Sequence, residues 1–350
     1  MRTGVFLPNW IGDVTMATPA LRALRRQADA AGDRLVGVMK PYVADVLEGL
    51  GWLDESLLVR KNQDSVVRQL RGLNLDRVIL LANSFRSGWL AWRSGARERI
   101  GVARDWRGPL LTTKVFEPRR RWRPIEAPPI DSYLNTAYAA GADWQPPTLE
   151  LATTEADERA ADEVWRRLAL PDGDRVVVLN SGGAFGAAKS WPAERFAELA
   201  GRLATDGYHV LVNCGPAERD TARQIAGGSG SPRVASLADW PTADAWRVPI
   251  GLSKAVIRRS RLLVTTDSGP RFFGLAFGRP VVSLFGPMGP HATRTHSPLE
   301  TPVSLNLACS PCQKAVCPLG HHKCMRDLSV KRVYQAVAAR LGGAGCRVAA

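Results

Sequence analysis

The sequence predicts an α/β protein of two halves, each a parallel sheet wrapped by helices. Three observations carry that reading. Short β-branched apolar runs alternate with amphipathic segments along most of the chain, the pattern of strand–helix–strand units. At 350 residues the chain exceeds the usual size of a single hydrophobic core. The alternation also breaks between Pro146 and Pro171 and then restarts, which marks a domain boundary there.

In the first half, Gly4–Pro8 reads as a strand, Asn9–Asp13 as a turn, and Thr18–Pro19 as the start of a helix, with Thr18 its cap. Because ligands of open α/β sheets gather at the carboxyl ends of strands, Asp13 is expected in the crevice of this sheet. The loop lacks the GxGxxG pattern, which argues against a nicotinamide or flavin enzyme. Strands are expected at Leu35–Met39, Ser56–Val59 and Arg77–Leu81, and helices at Tyr42–Leu50, Gln63–Leu70 and Ile130–Ala140. Phe85 to Arg107 is rich in Trp and Arg, and Arg119, Arg120, Arg121 and Arg123 form a basic run. That face suits an acceptor or an anionic membrane surface, and equally a solvated loop.

After a polar helix at Glu155–Leu168 the second half begins with strand Val176–Asn180. The following loop carries Ser181, Gly182 and Gly183, which let backbone approach a ligand, and Lys189, a cation just before a helix start. It is not a Walker loop, since GxxxxGK[ST] is absent. Helix Pro192–Ala204, strand Tyr208–Asn213, and helices Glu218–Ala226 and Val248–Arg259 come next. The central unit of the chain is Arg261–Pro287: a strand through Leu262 to Val264, a polar turn through Thr265, Thr266, Asp267, Ser268 and Gly269, a short helix, and a second strand from Val281 to Phe285. Ser268 and Gly269 present N–H groups at a helix start, which favours phosphate, although simple capping by Asp267 and Ser268 explains the same residues.

The composition is that of an ordinary globular protein, 45% hydrophobic and 23% charged, with no apolar run long enough to span a bilayer. Asp13 interrupts the apolar start and no cleavage site follows, so a cytoplasmic protein is expected. The net charge of +14 favours anionic partners. Nucleic acid is the weakest of these, because it gives no role to Asp13, Lys189 or Asp267. Of six cysteines, Cys309, Cys312, Cys317 and Cys324 follow C-x2-C-x4-C-x6-C, a donor set for structural zinc or iron. Reduced packing cysteines or a labile disulfide fit the same spacing; Cys214 reads as a packing residue and Cys346 as a tail residue.

Taken together, LPNWIGDVTMATPALRALRR, GGAFGAAKSWP, TTDSGPRFFGLAFGRPVVSLFGP and CSPCQKAVCPLGHHKCM resemble, in order, blocks of the ADP-heptose:lipopolysaccharide heptosyltransferases of glycosyltransferase family 9. The resemblance spans residues 1 to about 330. It implies a GT-B fold, two Rossmann-like domains whose parallel sheets face a central cleft. Residues 1–160 would form the acceptor side, 171–328 the nucleotide-sugar side, and 329–350 a C-terminal helix and tail. It also implies an inverting transfer from ADP-heptose to a phosphorylated lipopolysaccharide core at the cytoplasmic face of the inner membrane, without a catalytic metal. The family's catalytic aspartate falls on Asp13, its phosphate lysine on Lys189, and its donor loop on Asp267, Ser268 and Gly269, with Thr266 beside them. Gly12, Ser181, Gly182 and Gly183 fall on the donor-binding side, and the ribose-binding acidic residue on Glu218. One departure stands out: Phe272 occupies a position where many relatives carry His, and Arg271 beside it is the expected substitute contact.

Overall fold

The computed structural model describes residues 1–60, 63–117, 119–120, 123–124, 128–183, 186–240 and 248–342, with the backbone alone at 63, 119, 120, 123 and 124. The chain divides into two units, Met1–Ala152 with His291–His296, and Thr153–Pro290 with the chain from Ser297 onward.

In the first unit a parallel sheet runs through β1 (Arg2–Phe6), β2 (Arg34–Met39), β3 (Glu55–Leu58), β4 (Arg77–Leu80), β5 (Glu98–Val102) and β6 (Thr113–Val115) in the order β3-β2-β1-β4-β5-β6. Thr3 of β1 pairs with Leu35 on one side and Arg77 on the other. Central strands of such a sheet are covered on both faces, which is why VIL-type runs rather than alternation mark them; Val78, Ile79 and Leu80 are fully buried. The helices are α1 (Ile11–Met16), α2 (Thr18–Ala31), α3 (Pro41–Leu47), α4 (Gln63–Gly72), α5 (Phe85–Arg93) and α6 (Pro129–Ala139), and a ribbon joins β7 (Arg119–Arg120) to β8 (Arg123–Pro124).

Two expectations are corrected here. Asn9–Asp13 is not a turn throughout, because Trp10 is extended and its carbonyl accepts the Val14 N–H at 2.9 Å, so α1 begins at Ile11 and Asp13 lies in its first turn. Thr18 is not the cap of α2. Ala17 caps both helices, and the Thr18 hydroxyl instead donates to the carbonyl of Thr15 at 2.7 Å.

The second unit repeats the plan with β9 (Val176–Asn180), β10 (His209–Asn213), β11 (Val234–Ser236), β12 (Leu262–Thr266), β13 (Val281–Phe285) and β14 (Glu300–Ser304), ordered β11-β10-β9-β12-β13-β14. Its helices are α7 (Glu155–Arg167), α8 (Ala193–Thr205), α9 (Arg219–Gly228), α10 (Ile250–Arg259), α11 (Gly269–Ala276), α12 (Lys323–Arg326) and α13 (Val330–Leu341). Helix α7, which the division at 160 splits, lies wholly in this unit and is bound to α10 by Glu158 with Arg258 and Arg259. Trp191 anchors the core: its Nε1 donates to the carbonyl of Leu328 at 2.8 Å, and its ring meets Phe196 edge-on at 4.8 Å. That bond ties the chain entering α13 to the segment leading into α8.

Both sheets have the doubly wound order, in which successive parallel strands are added first on one side of the first strand and then on the other. The reversal leaves a crevice between β1 and β4 in one unit and between β9 and β12 in the other. The loops after those strands are where ligands are expected.

Candidate functional site

In the first unit the reversal point opens into a cavity of about 370 Å³. The loop after β1 supplies Trp10, the first turn of α1 supplies Asp13, the loop after β4 supplies Asn83 and Ser84, and α6 supplies Tyr133. The Tyr133 hydroxyl lies 3.4 Å from Oδ1 of Asp13. Burial, and then the neighbouring Asp13 carboxylate, hold the phenol well above its usual pKa, so it stays protonated and is the donor of the pair. Asn83 is held from behind: the guanidinium of Arg107, with no exposed surface, donates to its Oδ1 at 2.8 Å and to the Val102 carbonyl at 2.7 Å. Burial brings Arg107 down to about 10, helped by nearby Arg104, which leaves it charged at neutral pH.

In the second unit the loops after β9 and β12 come together. The Lys189 ammonium lies 2.6 Å from Oδ2 of Asp267 and 3.0 Å from its backbone oxygen. Asn180, at the end of β9, donates from Nδ2 to the Gly182 carbonyl at 3.1 Å and the Ser268 hydroxyl at 3.2 Å, and the Thr266 hydroxyl donates to the same Gly182 carbonyl at 3.2 Å. Gly182 passes close against Glu218, since a Cβ there would stand 2.3 Å from Cγ of that side chain. Gly183 lies against Ser268, where a Cβ would approach its Cβ at 3.1 Å. Ser268 is the extended residue before α11 but makes no side-chain cap, so capping alone does not explain this loop. The buried Ser181 hydroxyl has no hydrogen-bond partner among the described residues. Glycines, a lysine and open N–H groups at a strand–helix junction are what a diphosphate needs.

The sequence pattern of glycosyltransferase family 9 (heptosyltransferase) matches residues 64–323. The chain belongs to that family. It is 24% identical over 354 residues to lipopolysaccharide heptosyltransferase 2 of Escherichia coli K12, covering 97% of this chain and 99% of that protein. A solved glycosyltransferase family 9 structure from Veillonella parvula superposes with a TM-score of 0.80 at 25% identity, over 97% of both chains. The solved E. coli ADP-heptose lipopolysaccharide heptosyltransferase II has a TM-score of 0.77 at 23% identity, over 97% of this chain and 98% of the other. The GT-B expectation is met in two parallel Rossmann-like sheets.

Among the expected site residues of this glycosyltransferase, Asp13 and Gly12 fall together on α1, and Ser181, Gly182, Gly183, Lys189, Glu218, Thr266, Asp267, Ser268 and Gly269 surround one crevice of the second unit. Arg271 does not face that crevice. Its guanidinium is 1% exposed, bound by Glu300 through Nε and, at 2.9 Å, through Nη2, and 3.1 Å from Oδ1 of Asp267. Its contact with Asp267 braces that carboxylate from inside. Phe272 is buried beneath that guanidinium, 4.7 Å from ring centre to Cζ. Arg121 lies outside the described residues, and so do the side chains of Arg119, Arg120 and Arg123.

The four clustered cysteines are unpaired. The N–H of His322, followed by those of Leu319, Gly320 and His321, is directed at the sulfur of Cys317 and lowers its pKa, whereas burial and then the thiols of Cys312, Cys309 and Cys317 raise that of Cys324. Among the described residues no three His, Cys, Asp or Glu side chains are gathered as a metal site, so the expected zinc or iron gains no support from this arrangement. Cys214 is a core residue, pushed up to about 11 by burial; Cys346 lies outside the described residues.

Sequence reasoning did not single out Tyr133, Asn83, Arg107 or Asn180. A tyrosine on α6 carries no local signal, and Arg107 reads as one more arginine in a basic stretch. Asn180 is the exception: a polar residue ending an all-valine and leucine strand was available as a pointer to the crevice.

Proposed function

We propose that this family member transfers a heptose from ADP-heptose to a hydroxyl of the lipopolysaccharide inner core, with inversion at the anomeric carbon. The observation that carries the reading is the donor-type crevice of the second unit, where Lys189 stands beside Gly182, Gly183 and the N-terminus of α11. Diphosphate oxygens would accept from the N–H groups of Ser268 and Gly269 and from the Lys189 ammonium, and the Ser181 hydroxyl would find its partner there. The near full-length likeness to heptosyltransferase 2 supports heptose as the sugar and the lipopolysaccharide core as the acceptor.

In the reaction the Asp13 carboxylate takes the proton of the acceptor hydroxyl as that oxygen bonds to the anomeric carbon. The bond from the anomeric carbon to the diphosphate breaks, and ADP leaves with the electron pair. Lys189 and the α11 terminus stabilise the charge that develops on it. A single displacement of this kind inverts the centre. The phosphorylated acceptor and an anionic inner-membrane surface fit the net charge of +14.

Calorimetric titration with ADP, UDP and GDP tests the donor. Tighter ADP binding, lost in Lys189→Ala, is expected. Preference for UDP or GDP would overturn the donor and direct attention to Phe272.

A further inference from the structure

Arg107 is a buried cation held by neutral groups. Its side chain has no exposed surface, and its donors reach four oxygens. Nε donates to the Val102 carbonyl at 2.7 Å, Nη1 to the Ala82 carbonyl and, at 3.4 Å, to the Ser87 hydroxyl, and Nη2 to Oδ1 of Asn83 at 2.8 Å. None of the four is a carboxylate. A charge buried in this way is costly, and an apolar side chain would fill the same space without that cost. The surroundings are nevertheless shaped for it. A Cβ at Gly88 of α5 would stand 3.0 Å from Cβ of Arg107, and one at Gly101 of β5 would stand 2.9 Å from Cβ of Leu80 and 3.5 Å from Nη2 of Arg107. The chain reaches Arg107 through Asp105 and Trp106, whose φ values are +50° and +61° although neither is glycine. Side chains other than glycine seldom accept that conformation, and it persists only where surroundings enforce it.

What this bracket settles is the direction of the Asn83 amide. A guanidinium only donates, so the amide atom that meets Nη2 is the oxygen, and the amide N–H pair is turned to the other side. Asn83 lines the Asp13 cavity whereas Arg107 does not, which puts that pair on the cavity side. Among the described residues Nδ2 of Asn83 has no hydrogen-bond partner. The cation also draws electron density toward the amide oxygen, which makes the N–H groups stronger donors. Asp13 and Glu117 line the same cavity. Carboxylates accept from hydroxyl groups and an amide N–H donates to a hydroxyl oxygen, so the three side chains together complement a polyhydroxylated ring.

We infer that Asn83 donates through Nδ2 to a hydroxyl oxygen of the acceptor sugar, holding that ring at Asp13, and that Arg107 is the positioning residue that fixes the amide for this contact. The inference rests on the sugar-acceptor reading proposed above. The rival is purely structural: Asn83 would serve only to satisfy Arg107. Asn83→Asp separates the two, because a carboxylate accepts from Arg107 at least as well as the amide does but offers no N–H. Asn83→Ala removes the donor without adding a charge beside Asp13.

Transfer kinetics, urea unfolding, and calorimetry with ADP and with lipid-free inner-core oligosaccharide test the inference on the parent, Asn83→Asp, Asn83→Ala, Arg107→Lys and the double variant Asn83→Ala/Arg107→Lys. Both Asn83 variants are expected to weaken oligosaccharide binding about tenfold, the loss of one directed hydrogen bond. The acceptor KM should rise more than kcat falls, and ADP affinity should stay at the parent value. Asn83→Asp should unfold at no lower a urea concentration than the parent. Arg107→Lys should raise the acceptor KM in the parent background and add nothing in the Asn83→Ala background, a coupling that general loosening of the loop would not produce. Parent-like oligosaccharide affinity in Asn83→Asp and Asn83→Ala would overturn the contact, as would an equal loss of ADP affinity. Equal increments from Arg107→Lys in both backgrounds would overturn the positioning role. A parent that binds the oligosaccharide without transferring heptose to it, while the Asn83 variants lose binding, would count against the proposed activity and leave the contact standing. A parent that neither binds nor heptosylates it would overturn both.

Discussion

Lys189 grips Asp267 twice, its ammonium 2.6 Å from the carboxylate and 3.0 Å from the same residue's backbone oxygen. Asp267 is 5% exposed and lies between this lysine and Arg271, so two cations meet one buried carboxylate. The arrangement fixes the lysine at the end of β12, beside the loop of Gly182 and Gly183. Lys189→Ala is expected to lower kcat/KM for transfer by about 10²- to 10³-fold, the usual effect of removing one preorganised charge donor, and to weaken ADP binding. Kinetics and calorimetry on one preparation check it.

Arg271 and Glu300 make the inner half of that network. The guanidinium is 1% exposed, and Glu300 also accepts from the Ser283 hydroxyl at 2.7 Å. Arg271→Met strands a buried carboxylate and is expected to destabilise the protein by about 3–5 kcal/mol, with part of the loss recovered in Arg271→Met/Glu300→Gln. Urea unfolding midpoints of the two variants against the parent measure both effects.

Gly182 is a close-approach position rather than a flexible one. A Cβ there would lie 2.3 Å from Cγ and 2.5 Å from Cδ of Glu218, so Gly182→Ala must displace Glu218 or the loop. Nucleotide affinity is expected to drop about tenfold, equivalent to about 1.4 kcal/mol, with little change in the unfolding midpoint. Calorimetry with ADP reads the first and urea unfolding the second.

Glu158 supplies a pH-dependent contribution to stability. Burial raises its pKa, but hydrogen bonds from Thr153, Arg259 and Arg258 outweigh that and bring it below its ordinary 4.5. A carboxyl whose folded pKa lies below its unfolded one stabilises the fold above the unfolded value and loses that contribution as pH falls through the folded value. Glu158→Gln is therefore expected to cost about 1–2 kcal/mol near pH 7 at this partly buried bridge, and the difference from the parent should close as pH falls below the ordinary carboxyl value and through the lowered folded one. Unfolding curves across that range check the sign.

The alternation of Val176–Asn180, Leu262–Thr266 and Val281–Phe285 with intervening helices was readable because centrally buried strands need continuous apolar runs. The loops that follow them were readable for the same topological reason. Three features were not. Helix α1 contains Gly12 and Thr15 and spans six residues, too short for periodicity to show. Phe85–Arg93 reads as a basic aromatic stretch, yet Ser84 and Ser87 close a capping box and the segment becomes α5 with Leu90 and Ala91 buried. Arg271 follows Gly269-Pro270 at a helix start and reads as a contact to the donor. Its burial depends on Glu300, 29 residues further on, a pairing that no local pattern encodes.

The most direct test of the whole reading is transfer of heptose from ADP-heptose to inner-core acceptor by the parent and by Asp13→Asn, followed by mass spectrometry, with ADP affinity measured on both. The parent is expected to form the heptosylated product, and the variant to lose at least about 10²-fold in kcat, the lower range for a general base, while binding ADP as the parent does. A variant that turns over within about threefold of the parent, a barrier change under 1 kcal/mol, would contradict Asp13 as the base.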